Sequence, residues 1–175
     1  MTRLSERIET QMPIADAFAY LADFANAAEW DPGVATAERI GSGPVEVGTR
    51  YRLGIRRGDR IVPMEYRIIE LEPPHRVVLV GTGSGVEARD DIHFTPTGDG
   101  TLVDYVADIR LTGLLRLAQP FMGGTFRRIA EQASDGIRRT LAARAGSGTA
   151  SPRSSCTRSS VACSTIRSRS WPKRS

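Results

Sequence analysis

Cysteine is nearly missing from this chain of 175 residues. The two present, Cys156 and Cys163, lie near its C-terminal end, and residues 1–155 have none. That excludes a disulfide framework, a core thiol nucleophile and a CxxC metal pair for the body of the chain. Histidine is almost as scarce. His75 sits in the PPHRVV turn and His93 has outward strand parity, so neither HExxH nor a paired-His set exists and no metal is expected. No Ser occupies a GxSxG elbow. The Gly-rich stretches GTGSG and GDG fall between strands rather than between a strand and a helix, which argues against a phosphate-binding loop. Long hydrophobic runs are absent too. No window approaches the roughly 20 apolar residues of a membrane span. MTRLSERIET has no apolar stretch after its charges, so no secretory signal is expected and a cytoplasmic location is the default.

What is present divides sharply by composition. Seven of the 24 basic residues fall in residues 144–175, which hold no acid; residues 1–143 therefore carry 17 basic against 20 acidic side chains, a net charge of −3. The sequence pI of 9.6 belongs to the tail. No specific nucleic-acid binding is expected of the body. Residues 144–175 are Ser-, Arg- and Thr-rich with no sustained apolar period, and read as a disordered basic tail. Their Ser/Arg/Cys/Trp mixture is also what out-of-frame reading of a Gly/Ala/Arg-rich coding region produces, which the native transcript would test.

Residues 1–143 read as one domain with two periods. RLSERIETQ alternates, with Leu4, Glu6, Ile8 and Thr10 on one side, and reads as a half-buried strand. PIADAFAYLADFAN puts Ile14, Ala17, Phe18 and Leu21 at helical spacing, with Phe24 a turn later; NAAEW is a second short helical turn ending in Asp31-Pro32-Gly33. Six alternating segments follow: VATAERIG, GTRYRLGIRR, RIVPMEYRIIELE, HRVVLVGTG, VEARDDIHFTPT and GTLVDYVADIRL. Short Gly/Asp-rich turns between them predict antiparallel hairpins and a meander. After Leu111 a helical period returns through Leu141, with Pro120 and Gly123-Gly124 predicting a kink or a short preceding helix. The result is an α+β arrangement: a seven-stranded antiparallel sheet, two short helices after the first strand, and a long C-terminal helix to cover one sheet face.

The opening strand, PIADAFAYLADFANAAEWDPGV, VGTRYRL, YRIIELEPPHRVVL, DDIHFTPTGDGTLVDYVADIRL and the final helix together resemble the START-like superfamily, the polyketide cyclase/dehydrase and lipid-transport (SRPBCC) group. The resemblance covers residues 3–143. It implies the helix-grip (Bet v 1-like) fold, a curved sheet wrapped around the C-terminal helix with a gap between them. It specifies function poorly, because that superfamily hosts lipid carriers, hormone receptors, aromatase/cyclases and chaperone activators. In similar proteins the W-[DN]-P segment closes the short helices against the sheet near the cavity rim. Trp30 is accordingly expected to be a core aromatic anchoring those helices, ahead of direct ligand contact.

Strand parity gives the candidate lining. The ligand-binding set is Trp30, Tyr51, Leu53, Met64, Tyr66, Ile68, Ile92 and Tyr105 from the first part of the chain, with Leu117, Phe121, Met122 and Phe126 from the C-terminal helical region. Ile55, Val86, Ala88, Ile109 and Ala107 share the same parity; Val77/Leu79 and Val78/Val80 are not distinguished. Asp90 is the most informative polar position, since parity places its carboxylate among Ala88, Ile92 and Tyr105. A buried carboxylate is paired or has a raised pKa. The simpler expectation is pairing with Arg89 or Arg76 at the rim; the functional one is a general base or hydrogen-bond acceptor. Asp90, Tyr66 and Tyr105 are the only catalytic candidates, and they form no strong dyad. The Arg-rich strand faces are expected to be a solvated exterior paired with Glu65, Glu70 and Glu72.

The leading expectation is binding of a hydrophobic small molecule, such as a lipid, polyketide or other aromatic, in an internal cavity, with no cofactor. The alternative is a polyketide cyclase/dehydratase using acid/base groups of that cavity. A third reading, docking of a partner on the outer sheet face, is not supported by an apolar patch. The sequence carries no signal of oligomeric state.

Overall fold

The computed structural model describes residues 2–83, 85–113 and 123–147, with side chains of the last helix described for residues 132–146. In chain order the elements are β1 (Thr2–Thr10), α1 (Ile14–Ala22), a 3-10 turn (Phe24–Asn26), α2 (Ala27–Trp30), β2 (Val34–Ile40), β3 (Arg50–Arg57), β4 (Arg60–Glu72), β5 (Arg76–Gly83), β6 (Val86–Thr97), β7 (Gly100–Leu111) and α3 (Gly123–Ser147). The strands form one antiparallel sheet in the order β1-β7-β6-β5-β4-β3-β2. Strands β2 to β7 are a meander, and β1 closes the far edge by pairing along its length with β7. The two-residue turn between β3 and β4 works because Gly58 takes a φ of +60°, which a side chain would disfavour. The expected seven strands, two short helical segments and long C-terminal helix are all present.

Inward and outward residues alternate as the period demands. On β3, Tyr51 and Leu53 are buried while Arg50, Arg52 and Arg56 face water. Arg50 pairs with Glu65 and Arg52 with Glu38, both exposed ion pairs. The ambiguity on β5 resolves to Val77 and Leu79 in the core, because they sit opposite the inward residues Ile92 and Asp90 of β6. The parity of β4 breaks after Ile68, where the register with β5 shifts by one residue before Glu70. This irregularity is a β-bulge in effect and re-aims the end of the strand.

Cross-strand rows run over three or four neighbouring strands. Phe94, Val103 and Ile8 make one row; Val77, Ile92, Tyr105 and Glu6 the next; Leu79, Asp90, Ala107 and Leu4 the third; Tyr66, Gly81, Ala88 and Ile109 the fourth. At the Phe94 end the short helices fill the concave side. Phe18 of α1 meets Phe94 edge-on at 5.3 Å, and Phe24 packs within 5.4–6.1 Å of Trp30, Tyr51 and Tyr66. Such aromatic pairs contribute about 0.5–1.5 kcal/mol each beyond their buried area.

Helix α3 lies against β1 and α2. Ile137 and Leu141 are fully buried on its inner face. Gly136 lets α3 touch the α2 backbone: a Cβ there would overlap the Trp30 carbonyl. The contact is held at its edges by Arg144, which pairs with Glu29 at 2.8 Å and lies 4.0 Å over the Tyr20 ring, while the Tyr20 hydroxyl donates to the same Glu29. Burial and that anionic acceptor push the Tyr20 pKa up to about 12. Among the described residues no helix is long and apolar enough to cross a membrane.

Candidate functional site

Where the short helices stop, the sheet and α3 part. A cavity of about 370 Å³ lies between them. Its walls are Leu4 and Glu6 of β1, Met64 and Tyr66 of β4, Val86, Ala88 and Asp90 of β6, Tyr105, Ala107, Ile109 and Leu111 of β7, and Ala133, Ser134 and Ile137 of α3. Asp31, in the turn after α2, also reaches it, as do Ile55, Arg56, Arg57, Gly58 and Val62 around the β3–β4 turn and Gly83 at the end of β5. The cavity exists because small side chains face α3 on the middle rows. Ala88 and Ala107 lie three and two inward positions along the same strands from Phe94 and Val103, which fill the other end.

Asp90 is at the centre of this arrangement. It is 4% exposed, and the Tyr105 hydroxyl donates to its Oδ1 at 2.7 Å. Its Oδ2 is buried and has no hydrogen-bond partner. Burial pushes its pKa up to about 7; the Tyr105 hydrogen bond opposes that rise, and the charges of Asp31 and Asp108 add to it. The expectation that Asp90 pairs with Arg76 or Arg89 is therefore corrected. Both arginines bind the neighbouring Asp91 on the opposite sheet face, at 2.9 and 3.0 Å. Strand alternation puts Asp91 and its arginines outside and Asp90 alone inside.

Tyr66 and Tyr105 both line the cavity with Asp90, and burial first, then the Asp90 charge, raises both phenols well above their usual range. Tyr66 lies across β5 because position 81 is glycine; a methyl group there would sit 2.5 Å from its ring. Asp31 is held by its own turn, its Oδ1 accepting the Gly33 N–H at 2.7 Å, and burial raises its pKa.

Of the other candidate lining residues, Met64 reaches the cavity, whereas Tyr51, Leu53, Ile68 and Ile92 lie in the packed core and are not among its walls. The Tyr51 hydroxyl is directed to the Ala22 carbonyl at 3.4 Å. Trp30 is 2% exposed, edge-on to Phe24 at 5.8 Å and to Tyr105 at 6.3 Å, and is not a wall of the cavity either. It locks α2 to the sheet directly behind the site, and its buried Nε1 has no partner. Leu117, Phe121, Met122 and the side chain of Phe126 lie outside the described residues, as do residues 148–175. Glu6 and Asp31 were not singled out as site residues from the sequence. Glu6 carries a signal there, an acid on the inward parity of β1; Asp31 reads as turn chemistry alone.

Among the described residues no cluster of three His, Cys, Asp or Glu side chains is arranged to hold a metal. What the arrangement offers is an apolar chamber with one unsatisfied carboxylate oxygen, titrating near neutrality and oriented by a tyrosine. That suits holding a ligand donor or moving a single proton.

A curved antiparallel sheet gripping a C-terminal helix, with short helices closing one end, defines the helix-grip class of START-like proteins. The chain belongs to the family described as polyketide cyclase / dehydrase and lipid transport, whose pattern it matches over residues 1–142. Similar solved structures include a START superfamily protein from Mycobacterium smegmatis (TM-score 0.65, 12% identity, 85% of this chain and 100% of that one). They also include the Zhui aromatase/cyclase from Streptomyces sp. R1128 (TM-score 0.65, 13% identity, 82% and 93%) and a conserved protein from Geobacillus kaustophilus (TM-score 0.58, 18% identity, 79% and 93%). At these identities the likeness is one of fold. No functionally curated protein matches the sequence.

Proposed function

We propose that this protein binds a small, mostly apolar molecule in the chamber between the sheet and α3. The observation that carries the reading is the chamber itself, about 370 Å³ walled by Leu4, Ala88, Ala107, Ile109, Leu111 and Ile137. Its volume lies at the lower end of small-molecule sites. The packed aromatic end under α1 and α2 gives it a rigid back wall, so little ordering is needed on binding. Native mass spectrometry of the full chain purified from its source tests this. The expected result is a co-purifying mass of a few hundred daltons that is lost on introducing Ala107→Phe, which fills the chamber. Retention of the same mass in that variant would place the ligand elsewhere.

A second reading, a cyclase or dehydratase acting on a poly-β-ketone, is favoured by one observation: the free Oδ2 of Asp90, on a carboxyl with a pKa of about 7. In that reading Asp90 takes a proton from the carbon between two carbonyls. The resulting enolate closes a carbon–carbon bond onto a further carbonyl, whose oxygen takes that proton back from Asp90 to become a hydroxyl. Asp90 then removes the second proton from the same carbon, a carbon–carbon double bond forms as the C–O bond breaks, and Asp90 passes that proton to the departing hydroxide, which leaves as water. Tyr105 holds the carboxyl in place. Asp90→Asn would then abolish turnover while binding persists, whereas a pure binding protein shows no turnover to lose.

A further inference from the structure

We propose that the molecule held in the chamber carries a protonated nitrogen, which docks on the carboxylate of Asp90 while its apolar body lies against Ala88, Ala107, Ile109 and Ile137. The inference rests on the binding reading above and names the chemical class of the ligand.

Three observations converge on it. Asp90 is 4% exposed, its side chain lines the cavity, and its covered Oδ2 has no partner, so a ligand donor reached by a small turn of the carboxylate would satisfy it. Leaving such an oxygen unpaired is costly, and a donor from the ligand removes that cost. The tyrosine beside it has no proton to offer a ligand carbonyl, because the Tyr105 hydroxyl already donates to Oδ1.

The distribution of charge gives the sign. Glu6, Asp31 and Asp90 come to the cavity from β1, the turn after α2, and β6, three separate elements. The arginines among its described walls, Arg56 and Arg57, are exposed beside the β3–β4 turn. An anionic head beside Asp90 meets acids on several sides. A cation there offsets the repulsion that Asp31 exerts on Asp90. A charge-assisted N–H···O bond to the buried carboxylate is also stronger than one from a neutral hydroxyl.

Calorimetric titration of the full chain with three probes of one shape tests the proposal: 2-naphthylmethylamine, 2-naphthylmethanol and 2-naphthoic acid. At pH 8 the amine is expected to bind at least about tenfold tighter than the alcohol, and the acid weakest of the three. Asp90→Asn is expected to weaken the amine at least about tenfold and the alcohol less than about threefold, with thermal unfolding as the control for folding. The amine's affinity is also expected to fall from pH 8 to pH 6, as Asp90 takes up its proton, and the alcohol's to stay level. The groups around Asp90 are Tyr105 of β7, Tyr66 of β4, Asp31 of the turn after α2, Glu6 of β1 on the same sheet face and Ser134 of α3, with Asp108 of β7 acting through its charge from the opposite sheet face. An alcohol or acid that binds wild type as tightly as the amine overturns the cation proposal and leaves the binding reading standing, without reliance on any variant. Equal losses for amine and alcohol in Asp90→Asn also overturn it. Failure of all three probes to bind overturns both.

Discussion

The two ends of the same sheet are built on one alternating pattern and yet do different things. At the Phe94 end, inward residues meet aromatics from α1, the 3-10 turn and α2, and the space is full. At the Ala88 end, Ala88, Ala107 and Asp90 stand among the inward residues and a chamber separates the sheet from α3. The filled end is stabilised by burial of large side chains. The hollow end gives up that burial and accepts a carboxylate with an unpaired oxygen. A strand can therefore be core over half its length and site over the other half; what changes is side-chain volume, with no change in backbone form.

Breaking the filled end should have the largest effect. Trp30→Ala removes the side chain that joins Phe24 to Tyr105. It is expected to cost about 3–5 kcal/mol, read from urea unfolding midpoints. A loss below about 1 kcal/mol would mean that the short helices are not anchored there.

The hollow end should respond in the opposite sense, and with pH. The native Asp90 pKa of about 7 lies above its ordinary value of 3.8, so between those values the folded state holds a proton that the unfolded chain has released. Stability from this group is complete below pH 4 and is lost as pH rises through 7. Asp90→Asn, which does not ionise, is therefore expected to be more stable than wild type at pH 8.5 by on the order of 2–4 kcal/mol. The gap should close towards pH 4. A gap that does not vary with pH would mean that Asp90 titrates normally.

Filling the chamber sharpens the comparison further. Ala107→Leu converts a hollow row into one resembling its filled neighbours. Its effect on folding is expected to stay within about 1.5 kcal/mol, since the added methylenes enter existing space. Its effect on ligand retention, read by native mass spectrometry, is expected to be large. The smallest effect belongs to the rim between the helices. Arg144→Ala removes the half-exposed pair with Glu29 and the stack on Tyr20, and should cost about 0.2–1 kcal/mol, decreasing with added salt.

Much of this is legible in the sequence. Alternation located the strands, Gly- and Asp-rich turns set the hairpins, and the parity of β6 and β7 put Asp90 and Tyr105 on the inner face. The pairing of Asp90 is not readable from the sequence, because adjacent acids at 90 and 91 present the same local chemistry. Only the pleat, with Arg76 and Arg89 both on the outer face, assigns them to Asp91. Glu6 and Asp31 do not stand out in the sequence, because one has the look of an ordinary strand acid and the other of an ordinary turn residue.

The sequence by itself determined the elements and which side of each strand faces inward, because backbone period and turn chemistry act over a few residues. It did not determine how far along the sheet the core extends before it becomes a chamber. Tyr51, Leu53, Ile68 and Ile92 have the same parity and apolar character as Met64 and Ile109, and were indistinguishable from cavity walls. Where α1 and α2 end over the sheet, and where Gly136 lets α3 settle on Trp30, decides which inward residues are covered. Those are contacts between segments far apart in the chain, and only the tertiary packing brings them together.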